Sequence, residues 1–491
     1  MSVIERLKNF EMEDTKVLEA ERVAEGYFRG EDGNLHEELP VFYRVKLQMT
    51  PGEGSLIFTE VWLPEEWNGI FLAIGGGGMA ASIDYWSLAR RVREHYAVAN
   101  TDMGTSRGRK CGISNPDVWK DFGWRATHLM APAGKGLVEA CYGKAPDYSY
   151  FMGNSTGGQQ ALCEAQRFPK DYDGITAGVP GNNRTHLHTY FLWNHLHLRT
   201  ADGKKMFSKE EIAAITDCAV EFFQARKDGE PGDNFISFPT AEPDTIAAFL
   251  NLLAEKRPDF KAEQLDALHA VYSGPVNPVT GERIYCGMPL GSECYECCGI
   301  EEFEQEESPH FYPFIWAFGE NYNGRMFDFD KDLDALNEKL AGDLNANDPD
   351  LSAFCAHGGK LLIYSGSADP CVPFPDAIRY YERVLGQGGG YESVSDYCRY
   401  YLFPGRDHID RGNGTNAIWA DEKGGDELTA LRRWREEHIA PDRMLAVRCQ
   451  AHAPNGIAFI RPVYPYGSAE YAKNPSAPAA CADRYVQRGN K

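Results

Sequence analysis

Tyr148–Met152 (YSYFM) has the aromatic, apolar character of a strand and runs without a break into Gly153-Asn154-Ser155-Thr156-Gly157. The residues that follow, Gln159–Arg167 (QQALCEAQR), are helical in composition. A turn sharp enough to expose a serine hydroxyl between a strand and a helix leaves no room for side chains on its flanks, so it takes the pattern G-x-S-x-G. The amide of the next residue, Thr156, then faces the same space as the hydroxyl, at a helix N-terminus whose dipole favours negative charge. Ser155 is therefore a candidate nucleophile and Thr156 a candidate oxyanion donor. A plain Gly-Ser turn would satisfy the pentapeptide alone, but not the strand before it and the helix after it.

The surroundings repeat this alternation. Ser55–Leu63 (SLIFTEVWL), Gly69–Ile74 (GIFLAI) and Tyr96–Thr101 (YAVANT) read as strands, and Ala126–Tyr142 as a helix. Gly69–Ile74 ends in four glycines, Gly75–Gly78. From about Asn182 to Asp350 the chain changes character, with clustered histidines, Pro and Gly loops, and an acidic run at Glu301–Glu307. Lys360–Tyr364 (KLLIY) and Tyr397–Phe403 (YCRYYLF) resume the strands, with helices expected over Asp376–Leu385 and Glu427–His438. The organisation expected is a discontinuous α/β core, residues 1–181 and 351–491, interrupted by an inserted domain over 182–350.

A serine needs a base within hydrogen-bond reach and a carboxylate to orient that base. In the α/β-hydrolase order both follow the serine, acid before histidine. Asp369 stands just past Lys360–Tyr364, and His408 just past Tyr397–Phe403, where loops at the carboxyl ends of strands collect functional groups. Asp407 is a competing acid, but as the immediate neighbour of His408 it is badly placed to face the imidazole. An Asp-Pro turn and a solvated loop histidine are the bland alternatives for Asp369 and His408. A second oxyanion donor is expected from the glycine turn, at the amide of Gly77 or Gly78.

Charge narrows the partners. With 50 basic against 72 acidic residues the formal net charge is −22, which repels phosphate backbones and argues against nucleic acid. No apolar run reaches the length of a membrane span. Residues 1–16 (MSVIERLKNFEMEDTK) lack the apolar stretch of a secretory signal, and the 13 cysteines follow no disulfide framework. The expectation is a cytoplasmic protein with reduced thiols.

Taken together, the landmarks resemble the tannase and feruloyl esterase family of α/β-hydrolases, which includes hydrolases of mono(2-hydroxyethyl) terephthalate. They are IGGGGMA (74–80), NTDMG (100–104), WKDFGWRATH (119–128), GNSTGGQQAL (153–162), YSGPVNPVTGERIY (272–285), GSE (291–293), GGKLLIYSGSADPCVP (358–373), FPGRDH (403–408) and RPVYPY (461–466). The resemblance implies an α/β-hydrolase fold with a large inserted lid domain. It also implies Ser155 as nucleophile, Asp369 as acid, His408 as base, and a small-molecule ester of an aromatic acid, galloyl or hydroxycinnamoyl, as substrate. No organic cofactor is required. Relatives also join a Cys before the serine to a Cys after the histidine by a disulfide; here those places hold Asn154 and Ile409. Many relatives bind a structural calcium in the lid. The corresponding stretch here is 228–236 (DGEPGDNFI), which offers Asp228, Asp233 and Ile236 as candidate ligands.

Other features carry weaker chemistry. His186, His188, His195 and His197 form HLH-x6-HLH, which on a strand would share a face and suggest zinc, but no Cys or carboxylate stands beside them at ligand spacing. Cys294-x-x-Cys297, followed by Cys298, lacks a second pair. The aromatics Phe191, Trp193, Phe311, Tyr312, Trp316 and Phe318 suit either stacking on an aromatic acid or packing of a small domain. The function expected is a serine carboxylesterase working through an acyl-enzyme. An acyltransferase or amidase on the same triad, or a binding protein on an inactive hydrolase frame, are the alternatives.

Overall fold

In the computed structural model, which describes residues 1–303 and 310–473, a nine-stranded sheet organises the chain. Most of the acidic run Glu301–Glu307 lies outside the described residues. The strands are β1 (Thr15–Val23), β2 (Phe42–Met49), β3 (Ile57–Pro64), β4 (Ile70–Ile74), β5 (Ala97–Thr101), β6 (Tyr148–Asn154), β7 (Gly174–Gly178), β8 (Lys360–Gly366) and β9 (Cys398–Phe403). Their order across the sheet is β1-β2-β3-β5-β4-β6-β7-β8-β9. The first three strands and the β3–β5 pair are antiparallel, and every later pairing is parallel.

Parallel strands are covered on both faces, so they read as continuous apolar runs. All of β4 (IFLAI) and all of β9 (CRYYLF) are buried. One face is covered by Ala126–Tyr142, Thr156–Arg167 and Pro375–Gln387, whose Met130, Leu162 and Val384 join a single apolar cluster with Phe71 and Ile363. The other face is covered by Tyr85–Arg93 and Glu427–Glu436, through Leu88, Leu431 and Trp434. A three-stranded sheet of Ala417–Trp419, Met444–Cys449 and Ile457–Val463 joins that second face. This is the α/β-hydrolase fold.

Between β7 and β8 the chain leaves the sheet. Helices Arg184–His197, Lys209–Gln224, Pro243–Lys256 and Ala262–Ser273 build a separate apolar cluster around Ile215, Phe249, Leu268 and Tyr272. Glu293, of the GSE landmark, is fully buried there and accepts from the Tyr272 hydroxyl (2.7 Å), the Thr216 hydroxyl (2.9 Å) and the Gly291 amide (2.9 Å). A buried carboxylate is tolerated only with this degree of hydrogen bonding. Two residues of the sheet domain, Cys371 and Val372, are part of the same cluster. The inserted helices are thus seated on the loop that follows β8.

Candidate active site

β6 and helix Thr156–Arg167 meet at Ser155, which has φ 61° and ψ −117°. That conformation costs an L-residue on the order of 1–3 kcal/mol and persists only where neighbours enforce it. Here the Ser155 amide donates to Gly178 O (3.0 Å) and its carbonyl accepts from Gly181 N (3.1 Å). The flanking glycines are a packing requirement. A Cβ on Gly153 would overlap the Gly157 carbonyl, and one on Gly75 would lie 2.6 Å from Gly157 Cα.

The loops after β8 and β9 deliver the other two groups. His408 Nε2 lies 3.0 Å from Ser155 Oγ, and His408 Nδ1 lies 2.7 Å from Asp369 Oδ2. Asp369 is fully buried, and its second oxygen accepts from the amides of Cys371 (2.8 Å) and Val372 (2.9 Å). With Nδ1–H donating to the carboxylate, Nε2 carries a lone pair toward the serine hydroxyl. Burial works against a charged His408, but the Asp369 carboxylate together with Cys371 outweighs it and holds the imidazole well above its ordinary range. Asp407 does not compete. Its side chain is buried away from the imidazole and accepts from the Arg411 amide.

The glycine turn lies against the same helix start. Gly75 N is bonded to Met152 O and Gly76 N to Gln160 Oε1. Among the described residues the amides of Gly77, Gly78 and Thr156 have no protein acceptor. The Thr156 hydroxyl donates to Gly78 O (2.6 Å) and accepts from Arg184 Nη2 (3.0 Å). Arg184 is buried, lies over the Phe122 ring and reaches Tyr312 Oη. Nothing in the sequence marks Arg184 or Tyr364, and both touch the residues that flank the serine.

Other expectations resolve differently. HLH-x6-HLH lies on helix Arg184–His197 rather than on a strand, so histidines two apart diverge. Each Nδ1 meets a separate backbone carbonyl, of Ile284, His310, Phe303 and Trp193 respectively. They do not converge on an ion. Tyr312 and Trp316 pack edge-on against Phe122, and Phe191 stacks on His310.

The residues proposed for calcium do not fit one. Both oxygens of Asp233 are taken by the Arg461 guanidinium at 2.6 and 2.8 Å, which itself lies over Phe235 and Phe459. Asp228 accepts the amides of Ser237 and Phe238, and burial raises its carboxyl above the ordinary range. The Ile236 side chain is buried. An arginine stands where a calcium ion would have to share the Asp233 carboxylate. Removing divalent ions with EDTA should therefore leave the melting temperature unchanged. Arg461→Ala should destabilise by roughly 3 kcal/mol, because it strands a carboxylate that is only 8% exposed. A melting temperature lowered by EDTA would contradict this assignment.

No described helix is long and apolar enough to cross a membrane. The profile of the family described as tannase and feruloyl esterase matches residues 44–309 and 315–486. The chain is 31% identical to an uncharacterized esterase of Xanthomonas campestris pv. campestris, over 94% of this chain and 88% of that one. It is 27% identical to a probable feruloyl esterase B-2 of Aspergillus fumigatus, over 85% of this chain and 81% of that one. Feruloyl esterase B from Aspergillus oryzae has a TM-score of 0.82 at 22% identity, covering 95% of this chain and 96% of that one. Tannin acyl hydrolase from Aspergillus niger has a TM-score of 0.71 at 17% identity, over 94% of this chain and 91% of that one. At those identities the solved structures establish a common fold.

Proposed function

Since the chain belongs to the tannase and feruloyl esterase family and is a carboxylic ester hydrolase, we propose that it cleaves esters of aromatic acids, galloyl or hydroxycinnamoyl in type, through Ser155, His408 and Asp369. One observation carries the reading: the unbroken line from Ser155 Oγ through the His408 ring to a buried Asp369, starting at a serine held in a strained turn.

Ser155 Oγ attacks the ester carbonyl carbon as His408 Nε2 takes the hydroxyl proton. The carbonyl oxygen becomes an oxyanion facing the amides of Thr156 and of Gly77 or Gly78, and Asp369 stabilises the imidazolium. Collapse expels the alcohol, which receives the proton from Nε2 and leaves the acyl group on Ser155. Water then loses a proton to His408 and attacks the acyl carbon, and collapse releases the acid as His408 returns that proton to Ser155 Oγ. Arg184, through the Thr156 hydroxyl and Gly78 O, fixes the two sides of the oxyanion site relative to each other.

Turnover by the purified protein of galloyl, feruloyl, caffeoyl and terephthaloyl esters, measured beside simple aliphatic esters, tests the substrate class. A preference for simple aliphatic esters across that comparison would overturn it.

The raised His408 also sets a pH dependence. Only the neutral imidazole accepts the serine proton, so kcat/KM should climb with pH along a limb whose midpoint lies above 6.5. Asp369→Asn removes the charge that holds the imidazolium, so the midpoint should move down while the rate falls. The same preference for the protonated form means that this pair stabilises the fold fully below pH 6.5, and that the contribution is lost as pH rises through the folded value. A wild-type midpoint below 6.5 would refute the electrostatic account.

A further inference from the structure

We propose that Cys297, Cys298 and Cys371 form a binding site for one soft divalent metal ion of the zinc class, and that its occupancy switches the esterase off. The three Sγ atoms lie within 4.8 Å of one another. An ion bound at about 2.3 Å from each of three thiolates in tetrahedral array places the sulfurs about 3.8 Å apart, so closing the set takes an adjustment of about 1 Å or less. The thiols come from two parts of the chain. Cys297 and Cys298 belong to the inserted segment, and Cys371 to the loop that carries Asp369.

Local structure aims them at one point. Successive side chains ordinarily diverge, but Cys298 has φ 60°, a left-handed conformation uncommon for a residue other than glycine or asparagine. Its amide is held by Glu302 Oε2 at 2.6 Å. Cys298 and Cys371 are buried while Cys297 is only partly buried, which leaves a side for an ion to enter. Two imidazoles act on the cluster: His310 Nε2 lies 3.4 Å from Cys298 Sγ, and the His408 ring is close enough to influence the Cys371 thiol electrostatically. Single buried cysteines pack as small apolar groups. Three within 4.8 Å of one another, with the His310 imidazole beside one of them, make a sulfur and nitrogen donor set, which selects soft ions over calcium or magnesium.

Binding exchanges the thiol protons for the ion, releasing up to three protons to solvent. The consequence for activity follows from Cys371. Its amide holds the acid and its thiol lies within electrostatic reach of the base, so an ion on that sulfur sets positive charge beside His408 and displaces the loop that positions Asp369. The inhibitory half of the proposal rests on the Ser155–His408–Asp369 reading, whereas the binding half stands without it.

Cadmium reports directly on thiolates. Full-length protein, reduced and stripped with chelator, should develop a thiolate-to-cadmium ultraviolet band that saturates at one ion per chain. Ester turnover should fall at least tenfold in step and return when chelator is added. Cys297→Ser should keep metal-free turnover at the wild-type level, bind cadmium about 100-fold more weakly, and stay active at the cadmium concentration that silences the wild type. A missing band, or binding by Cys297→Ser equal to wild type, would overturn the site. Saturation at one Cys297-dependent ion with turnover unchanged would overturn the switch. If no ester is turned over, the absorbance titration still decides the binding half.

Discussion

Ser155→Ala should lower kcat on the order of 10⁶-fold while leaving the fold and melting temperature essentially intact. The removed hydroxyl lies in a half-buried position and, among the described residues, bonds to the His408 ring alone, so its loss creates neither a large cavity nor a stranded charge. His408→Ala should fall by a similar factor, and Asp369→Asn by about 10⁴-fold, because an asparagine at the Asp369 position leaves the imidazole in the wrong tautomer. The double variant Ser155→Ala/His408→Ala should be no worse than either single one, since the groups act as a unit. Labelling by a fluorophosphonate probe offers a second readout, with the adduct expected on Ser155 and nowhere in Ser155→Ala. Turnover by Ser155→Ala within tenfold of wild type, or an adduct that survives the substitution, would remove the basis of the proposed mechanism.

What the sequence made legible, and what it hid, follows from how local each signal is. β4, β6, β8 and β9 are apolar runs bounded by turns, and the serine turn, acid and base each sit one loop beyond such a run. These are short-range patterns. β7 (GITAG) carries no such pattern, although it is a central strand. Its Gly178 has to be small because Asn154 Oδ1 and the Tyr364 ring lie over it from the neighbouring strands. That demand comes from the assembled sheet and leaves only a glycine-rich string that resembles a loop. β1 and β2 escaped notice for a different reason. They form the antiparallel edge, where alternating exposure gives only a diluted apolar signal. HLH-x6-HLH is ambiguous by itself because a period of two suggests a strand, while the motif lies in a helix of 14 residues. At 228–236 the sequence shows an Asp-rich turn without the Arg461 that reaches Asp233 from 228 residues away, so it leaves calcium and an ordinary acidic turn undistinguished. The pairing of Cys297 and Cys298 with Cys371 was invisible for the same reason.

Arg406→Ala should reduce kcat about 100-fold with little change in KM, although Arg406 touches neither the nucleophile nor the acid's side chain. The family resemblance implies a disulfide beside the serine and the histidine, and its two positions here hold Asn154 and Ile409. Packing by Ile409 does not replace it, since that side chain is 38% exposed. A polar stitch runs there instead. The Tyr364 hydroxyl donates to Asn154 Oδ1 at 2.6 Å, and the Arg406 guanidinium lies 5.6 Å from the Tyr364 ring centroid. Arg406 also grips Asp410 through Nε at 2.8 Å and Nη2 at 3.0 Å, closing a clamp over the two residues on either side of His408. The Arg406 carbonyl accepts from Ala368 N, which fastens the base loop to the residue before Asp369. Removing the guanidinium frees the loop and strands Asp410, and a misplacement of about 1 Å in a catalytic group costs about two orders of magnitude in rate. Tyr364→Phe keeps the ring beneath the guanidinium and loses a hydroxyl whose single proton is shared between Asn154 Oδ1 and Glu427 Oε1, worth about 1 kcal/mol, so its effect should stay within about tenfold. Reducing agents should leave the wild type's kcat unchanged, because the stitch contains no sulfur. The decisive variant adds Asn154→Cys and Ile409→Cys to Arg406→Ala. If the stitch takes the place of the bridge, the Cα atoms at those positions lie within about 7 Å, and oxidation should close a disulfide that restores most of the lost kcat. An Arg406→Ala protein as fast as wild type, or a closed bridge that restores nothing, would show that His408 is held against Ser155 by some other contact.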